Sequence, residues 1–146
     1  MATINPYITF NGNCEEAFNF YKSIFGGDFT HMERYKNTPN VEQVPKCEGE
    51  KILHISLPIN SHTILMGSDN CCDADSEFDS EVHFGNNISL SISTKSEEET
   101  TKLFEALSKE GRISMPLQKT FWDAYYGMLI DKYGINWMVS YEYPKK

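Results

Sequence analysis

The sequence lacks any long apolar run. Its longest mostly apolar stretches, residues 51–59 and 135–143, are strand-sized, whereas a membrane helix needs roughly 20 such residues. The first residues, MATIN, contain neither a basic start nor an apolar signal core. We therefore expect a cytoplasmic protein with no membrane partner.

Positive charge is scarce as well. The chain has 13 Lys and Arg residues against 21 Asp and Glu residues, which gives a net charge of −8. The averaged field of such a chain repels phosphate backbones and anionic lipids. We therefore expect no nucleic-acid partner.

Cysteine is present without a usable pattern. The four cysteines, Cys14, Cys47, Cys71 and Cys72, contain neither a CxxC pair nor a spaced set of metal ligands. Adjacent Cys71 and Cys72 would form only a strained bridge. The pattern predicts reduced thiols at the surface or its boundary.

The composition and the hydrophobic periodicity indicate a folded protein. A chain of 146 residues that is 40% hydrophobic has enough apolar surface for one domain, residues 1–146. Residues 4–10 predict a strand, and a capping box of Asn13 and Glu16 then begins an amphipathic helix that ends at Gly26. Residues at i, i+3, i+4 and i+7 are predicted to form its buried stripe: Ala17, Phe20, Tyr21 and Ile24. Three strands follow, at 28–36, 51–59 and 63–66.

The second half repeats this order. A strand is predicted at 87–93, with Ile88 on its apolar face, and a second capping box, Ser96 with Glu99, begins a helix that Gly111 ends. Leu103, Ala106 and Leu107 mark the stripe of this helix, and strands follow at 112–119, 125–132 and 135–143. The fold class is therefore α+β with two tandem βαβββ modules, at about 4–70 and 86–143, joined by an acidic loop at 71–85.

Each predicted sheet has an apolar face for its helix and a second face of mixed character. Placed side by side, two such modules would form a shared concave cavity, and clefts between repeats are where small ligands usually bind. The mixed faces contain Tyr7, Thr9, His54, Ser56, Asn87, Ser89 and Ser91.

Several short motifs carry a family resemblance. They are NPY at 5–7, FNGNCEEA at 10–17, FY at 20–21, FGG at 25–27, FW at 121–122, YG at 126–127, DKYG at 131–134 and NWM at 136–138. In this order and spacing, which span nearly the whole chain, they resemble the PhnB-like branch of the glyoxalase/bleomycin-resistance/extradiol-dioxygenase (vicinal oxygen chelate) superfamily. Between Trp122 and Tyr126 the chain departs from the pattern common in that branch.

The resemblance implies two modules around one cavity, usually in a homodimer. In the superfamily's enzymes, four His, Gln or Glu side chains from the first and last strands of each module hold a divalent metal there. The matching positions here are Tyr7, Met66 or Leu65, Asn87 and Met138. None is a usual ligand of such a cation, so we expect no metal site of the family's kind and no cofactor.

His54 is the best candidate for a catalytic group, because an imidazole that faces a cleft can act as an acid or base near neutral pH. The alternative is a hydrogen-bonded histidine in a polar cavity wall. His31 is predicted on a separate strand, so the histidines do not predict a metal centre. Further predicted cavity residues are the apolar Met66, Trp122, Tyr126 and Met138, and Glu142 at the cavity mouth or exposed on the surface.

The function predicted from the sequence is the binding of a small organic molecule in the cavity between the modules, without the usual metal. Two alternatives stay open. One is a divalent-metal-dependent enzyme of the glyoxalase, isomerase or dioxygenase type. The other is a non-catalytic dimeric interaction protein that associates through exposed strand edges.

Overall fold

A computed structural model describes residues 2–37, 49–70 and 81–144 of the chain. The chain divides into two compact units, Met1–His83 and Phe84–Lys146, which we call the first and second units. No helix in the described ranges is long and apolar enough to cross a membrane. Most of the predicted acidic loop at 71–85, and most of the segment between the predicted strands 28–36 and 51–59, lies outside the described residues.

The first unit contains a four-stranded sheet with one helix on it. In chain order its elements are β1 (Tyr7–Phe10), α1 (Cys14–Phe25), β2 (His31–Arg34), a 3-10 helix (Tyr35–Asn37), β3 (Ile52–Pro58) and β4 (Ile64–Asp69). The strand order in the sheet is β1-β4-β3-β2. β1 runs parallel to β4, and the other pairs are antiparallel.

The second unit repeats this plan. Its elements are β5 (Leu90–Ser93), α2 (Glu97–Ser108), β6 (Arg112–Lys119), β7 (Ala124–Ile130) and β8 (Asn136–Glu142). The strand order is β5-β8-β7-β6, with β5 parallel to β8. The same order of elements and of strands in both units confirms the predicted α+β class with two βαβββ modules.

The second module begins later than its alternating pattern predicts. Asn87 and Ser89 precede β5, and Ile88, expected on an apolar face, is 73% exposed. Pairing with β8 involves only Leu90 to Ser93. The alternation therefore continues beyond the residues that have a strand partner, and the prediction for 87–89 is wrong.

The N-terminus of α1 is capped by a residue that is distant in sequence. The side chain of Asn13 makes no cap hydrogen bond, so the predicted capping box with Glu16 is wrong. Instead, Oδ1 of Asp69 accepts hydrogen bonds from the backbone N–H groups of Gly12, at 3.0 Å, and Cys14, at 2.9 Å. A carboxylate at the positive end of the helix dipole is a stronger acceptor than an amide oxygen.

Asp69 also ties the helix to the sheet. It is the last residue of β4 and is only 3% exposed. Its second oxygen, Oδ2, accepts a hydrogen bond from the backbone N–H of Ile52, at 2.9 Å, where β3 begins. One buried carboxylate at the end of β4 thus satisfies three backbone donors, two at the start of α1 and one at the start of β3.

The second helix is capped as predicted at its start but not at its end. Ser96 accepts a hydrogen bond from the Glu99 N–H at 3.1 Å. The helix ends at Ser108, and Glu110, with φ of 60°, adopts the left-handed conformation expected of a terminal glycine. Gly111 is required for another reason, because a Cβ there would lie 2.4 Å from the Ile130 carbonyl oxygen.

Each helix packs through a phenylalanine onto a glycine of the sheet. Phe18 and Phe104, which the predicted stripes omit, are buried, whereas the predicted Phe20 is only half-buried. A Cβ on Gly67 of β4 would lie 2.7 Å from the Phe18 ring, and one on Gly127 of β7 would lie 2.7 Å from the Phe104 ring. These close approaches leave no room for a side chain.

We expect Gly67→Ala and Gly127→Ala each to lower the free energy of unfolding by about 1–3 kcal/mol, the usual cost of overpacking a core. Denaturant unfolding of the full chain measures the change. Gly85→Ala is the matched control, since its Cβ would meet nothing closer than 3.4 Å. Equal effects at Gly67 and Gly85 would contradict the packing described here.

We expect Asp69→Asn to destabilise the protein by about 2–4 kcal/mol, because an amide nitrogen cannot accept and buried N–H donors lose their partner. Asp28→Asn is the control. The Asp28 side chain is 92% exposed and pairs with Lys22 at the surface, where an ion pair contributes about 1 kcal/mol or less. Similar losses of stability in both variants would show that the hydrogen bonds of Asp69 do not stabilise the first unit as described.

Candidate functional site on the helix-free sheet faces

The side of each sheet that faces away from its helix follows from strand register. Gly67 lies under Phe18 of α1, so the residues on either side of Gly67 in β4 point away from the helix. Met66 is one of them, and paired residues across a sheet point to the same side. One row on this helix-free face consists of Tyr7, Met66, Ser56 and His31.

His54 is the centre of this face in the first unit. Its Nε2 shares a hydrogen bond with the hydroxyl of Ser56 at 2.9 Å. The Tyr7 ring lies 5.7 Å from the His54 ring at an interplanar angle of 32°. Ser56 is 7% exposed and His54 is half-buried. The predicted candidates Tyr7, His54, Ser56 and Met66 are therefore neighbours, and Thr9 is next along β1.

The structure adds His31, which the sequence reasoning set aside. The His31 ring lies 5.3 Å from the His54 ring at 61°. Glu33, directly opposite His54 in the β2–β3 ladder, places a carboxylate oxygen 3.9 Å from Nε2 of His31. The usable signal is the alternation of His31 and Glu33, which puts both on one face of any strand. This alternation locates His31 beside His54 only when the register between β2 and β3 is known, and the sequence does not fix that register.

The helix-free face of the second unit is aromatic and rich in thioethers. Trp122, in the turn before β7, packs at 6.1 Å from Tyr126 and at 4.8 Å from the exposed Phe121. Met138 pairs with Met128 and with Ser91. Tyr125, an aromatic of the same segment, faces α2, where its hydroxyl lies 3.5 Å from that of Thr101.

Glu142 lies at the end of β8 and is exposed. It pairs with Ala124 at the first residue of β7. The strand register puts Glu142 on the same face as Met138, as its parity predicts, but four residues farther along the strand. Its carboxylate is therefore at the rim of that face and not beside the thioethers.

The positions that the resemblance assigns to a divalent metal do not fit one. Met66, not Leu65, pairs with Tyr7, and the β5 partner of Met138 is Ser91, since Asn87 lies outside the strand. A phenol, an alcohol and two thioethers are poor ligands for a hard or borderline cation. No group of three or more His, Cys, Asp or Glu side chains in residues 2–37, 49–70 and 81–144 is arranged to hold a metal ion.

Cys14 is buried, contrary to the expectation of a surface thiol. Burial raises the pKa of the Cys14 thiol well above its ordinary value, and the nearby carboxylates of Asp69 and Glu15 raise the pKa further. A neutral thiol in this position is a packing group and a poor nucleophile. Cys47, Cys71 and Cys72 lie outside the described residues.

The fold and the two helix-free faces define the class of protein. Solved proteins of the glyoxalase/bleomycin-resistance/dioxygenase group, at 10% and 13% sequence identity and a TM-score of 0.61, share the fold. The model of the family described as 3-demethylubiquinone-9 3-methyltransferase matches residues 2–140. The chain belongs to this family, the PhnB-like branch of the vicinal oxygen chelate superfamily.

Three relatives show how closely the chain follows the family. The crystal structure of PA1353 from Pseudomonas aeruginosa is 36% identical, covers 97% of this chain and 98% of its own, and gives a TM-score of 0.82. The PhnB protein from Bacillus cereus is 27% identical over 96% of this chain and 99% of its own, with a TM-score of 0.74. Protein YjdN of Escherichia coli is 26% identical over 94% of this chain and 93% of its own.

We expect Ser56→Ala to cost about 0.5–1.5 kcal/mol of stability, the net value of one hydrogen bond, and to loosen the His54 ring. Side-chain NMR of the His54 ring would detect the lost partner as averaged ring signals. Ser91→Ala, which changes an exposed serine in the corresponding row of the second sheet, should change neither. An unchanged His54 spectrum in Ser56→Ala would contradict the bond.

Proposed function

We propose that the protein binds a small organic molecule on the helix-free face of the first sheet, and that binding needs no divalent metal. The observation that carries the proposal is the His54–Ser56 hydrogen bond at 2.9 Å, flanked by the Tyr7 ring and the Met66 thioether. A few convergent polar groups in an apolar surrounding are the usual composition of a ligand site.

The apolar part of the face suits a flat or sulfur-tolerant group. Tyr7 is 49% exposed, so half of its surface is available to a ligand. Met66, its partner in the ladder, supplies a polarisable side chain that adapts to different shapes. The second unit offers similar chemistry, because Trp122, Tyr126 and Met138 lie on its helix-free face.

Methyl transfer, which the family's description names, is not what we propose. A methyl donor of the nucleotide type is expected to use a Gly-rich turn that leads from a strand into a helix with free backbone N–H groups. Here Gly12 precedes α1, but the N–H groups of Gly12 and Cys14 already donate to Asp69. That helix end is neutralised by the protein's own carboxylate.

The experiment is a thermal-shift screen of chelator-treated protein against small aromatic and thioether compounds. A ligand at a hundredfold excess over its Kd should add about 2.7 kcal/mol to the free energy of unfolding. We expect the gain to be lost in Tyr7→Ala and Met66→Ala and kept in Met32→Ala. Met32 is the matched control, because it pairs with Ile55 on the opposite face of the same sheet.

Three results would contradict the proposal. The first is a broad screen in which no compound stabilises the wild-type protein. The second is a ligand whose effect disappears equally in Met32→Ala and Met66→Ala, because the face would then be wrong. The third is binding that chelator treatment abolishes and a divalent metal restores.

A further inference from the structure

We propose that His31 and His54 form a pair of imidazoles that binds the carboxylate of a flat, ring-containing acid. This inference rests on the proposed function and names the class of ligand. The two rings lie 5.3 Å apart on neighbouring antiparallel strands, with the Ser56 hydroxyl bonded to one of them. Two ring nitrogens and one hydroxyl can thus converge on a single acceptor group.

The pair is open to solvent on the His31 side. The His31 side chain is 51% exposed, whereas Ser56 is only 7% exposed and forms the floor of the cluster. A ligand that approaches from the edge strand β2 therefore meets His31 first and then the half-buried His54. The Tyr7 ring, inclined by only 32° to the His54 ring, provides a flat surface beside them for the ring of the ligand.

The described strands place few ionisable groups on this face. Besides each other, the imidazoles face the titratable side chains of Tyr7 from β1 and Glu33 from β2. The β4 residues beside them on this face, Met66 and Ser68, do not titrate. No lysine or arginine of the described strands lies on this face. Arg34, which follows Glu33 after a bulge, instead pairs with Glu15 of α1. Within the described strands of the first unit, only the imidazoles can supply positive charge on this face.

The position of Glu33 indicates which chemical group the two imidazoles bind. Its carboxylate lies 3.9 Å from Nε2 of His31 and is 46% exposed, so it is near the imidazole without being fixed there. The space beside His31 therefore accommodates a carboxylate group. We infer that the carboxylate of a ligand replaces Glu33 beside His31 and reaches His54 as well.

Binding should be coupled to proton uptake. An imidazole has an ordinary pKa of about 6.5, and a bound anion stabilises the protonated form. A carboxylate ligand therefore binds more strongly when the imidazoles are protonated, so its affinity rises as the pH falls through this range. A neutral ligand of the same shape has no such dependence.

The test compares benzoate with benzamide, which has the same ring and no charge. Isothermal titration calorimetry on the full chain at about pH 6 and about pH 8, on either side of the imidazole pKa, measures both Kd values. We expect benzoate to bind about tenfold more tightly at the lower pH, consistent with one charge-assisted hydrogen bond, and benzamide to show no change. NMR of the histidine rings in the wild-type protein should show benzoate shifting His31 and His54.

Substitutions of the two histidines test whether they bind the benzoate carboxylate. His31→Asn and His54→Asn should each weaken benzoate binding at the lower pH by about tenfold, with circular dichroism to confirm folding. His62→Asn is the control and should bind as the wild type does, since His62 lies in the turn after β3, where its backbone N–H donates to Asn60. The wild-type NMR result stands even if a His54 variant does not fold.

The outcomes separate this inference from the proposed function. If benzamide binds as tightly as benzoate at both pH values, the face binds organic molecules but the imidazole pair does not select acids. If benzoate shifts His62 as much as His31 and His54, binding is nonspecific and the inference is wrong. If neither probe binds while another compound from the wider screen does, only the inference fails.

Discussion

The first unit depends on one buried carboxylate. Asp69 ends β4 and accepts hydrogen bonds from the start of α1 and the start of β3, so it fixes three segments relative to one another. Water cannot replace it at 3% exposure, and each donor left without an acceptor would cost free energy. The second unit has a related device at a different place: Asp131 accepts from Tyr133, Ile135 and the Trp137 indole.

The position of the candidate site follows from that constraint. Once Asp69 fixes α1 on one side of the sheet, Phe18 requires a glycine beneath it at position 67. Strict alternation along the strands then sends the residues next to Gly67 and Ile55 to the other side. Met66, His54 and Ser56 are each one residue away from these positions, so helix packing and site placement have the same origin.

The sequence predicted the features that depend on local periodicity and could not predict those that depend on long-range pairing. The order of strands and helices, and the Ser96 cap, follow from spacing within about one turn of helix or a few strand residues. The Asp69 cap joins residues 55 apart or more, and no local pattern encodes it. The neighbourhood of His31 and His54 depends on the register of β2 and β3, which a long connection leaves unspecified.

The two units share a plan but not a chemistry. All four histidines of the chain belong to the first unit, and two of them lie on its helix-free face. The corresponding row in the second unit holds Ser91, Met138 and Met128, groups that do not ionise near neutral pH. The helix contacts differ as well, since the glycine under the phenylalanine is in β4 in one unit and in β7 in the other. Histidine, whose charge changes near neutral pH, is therefore present on the helix-free face of the first unit and absent from the second unit.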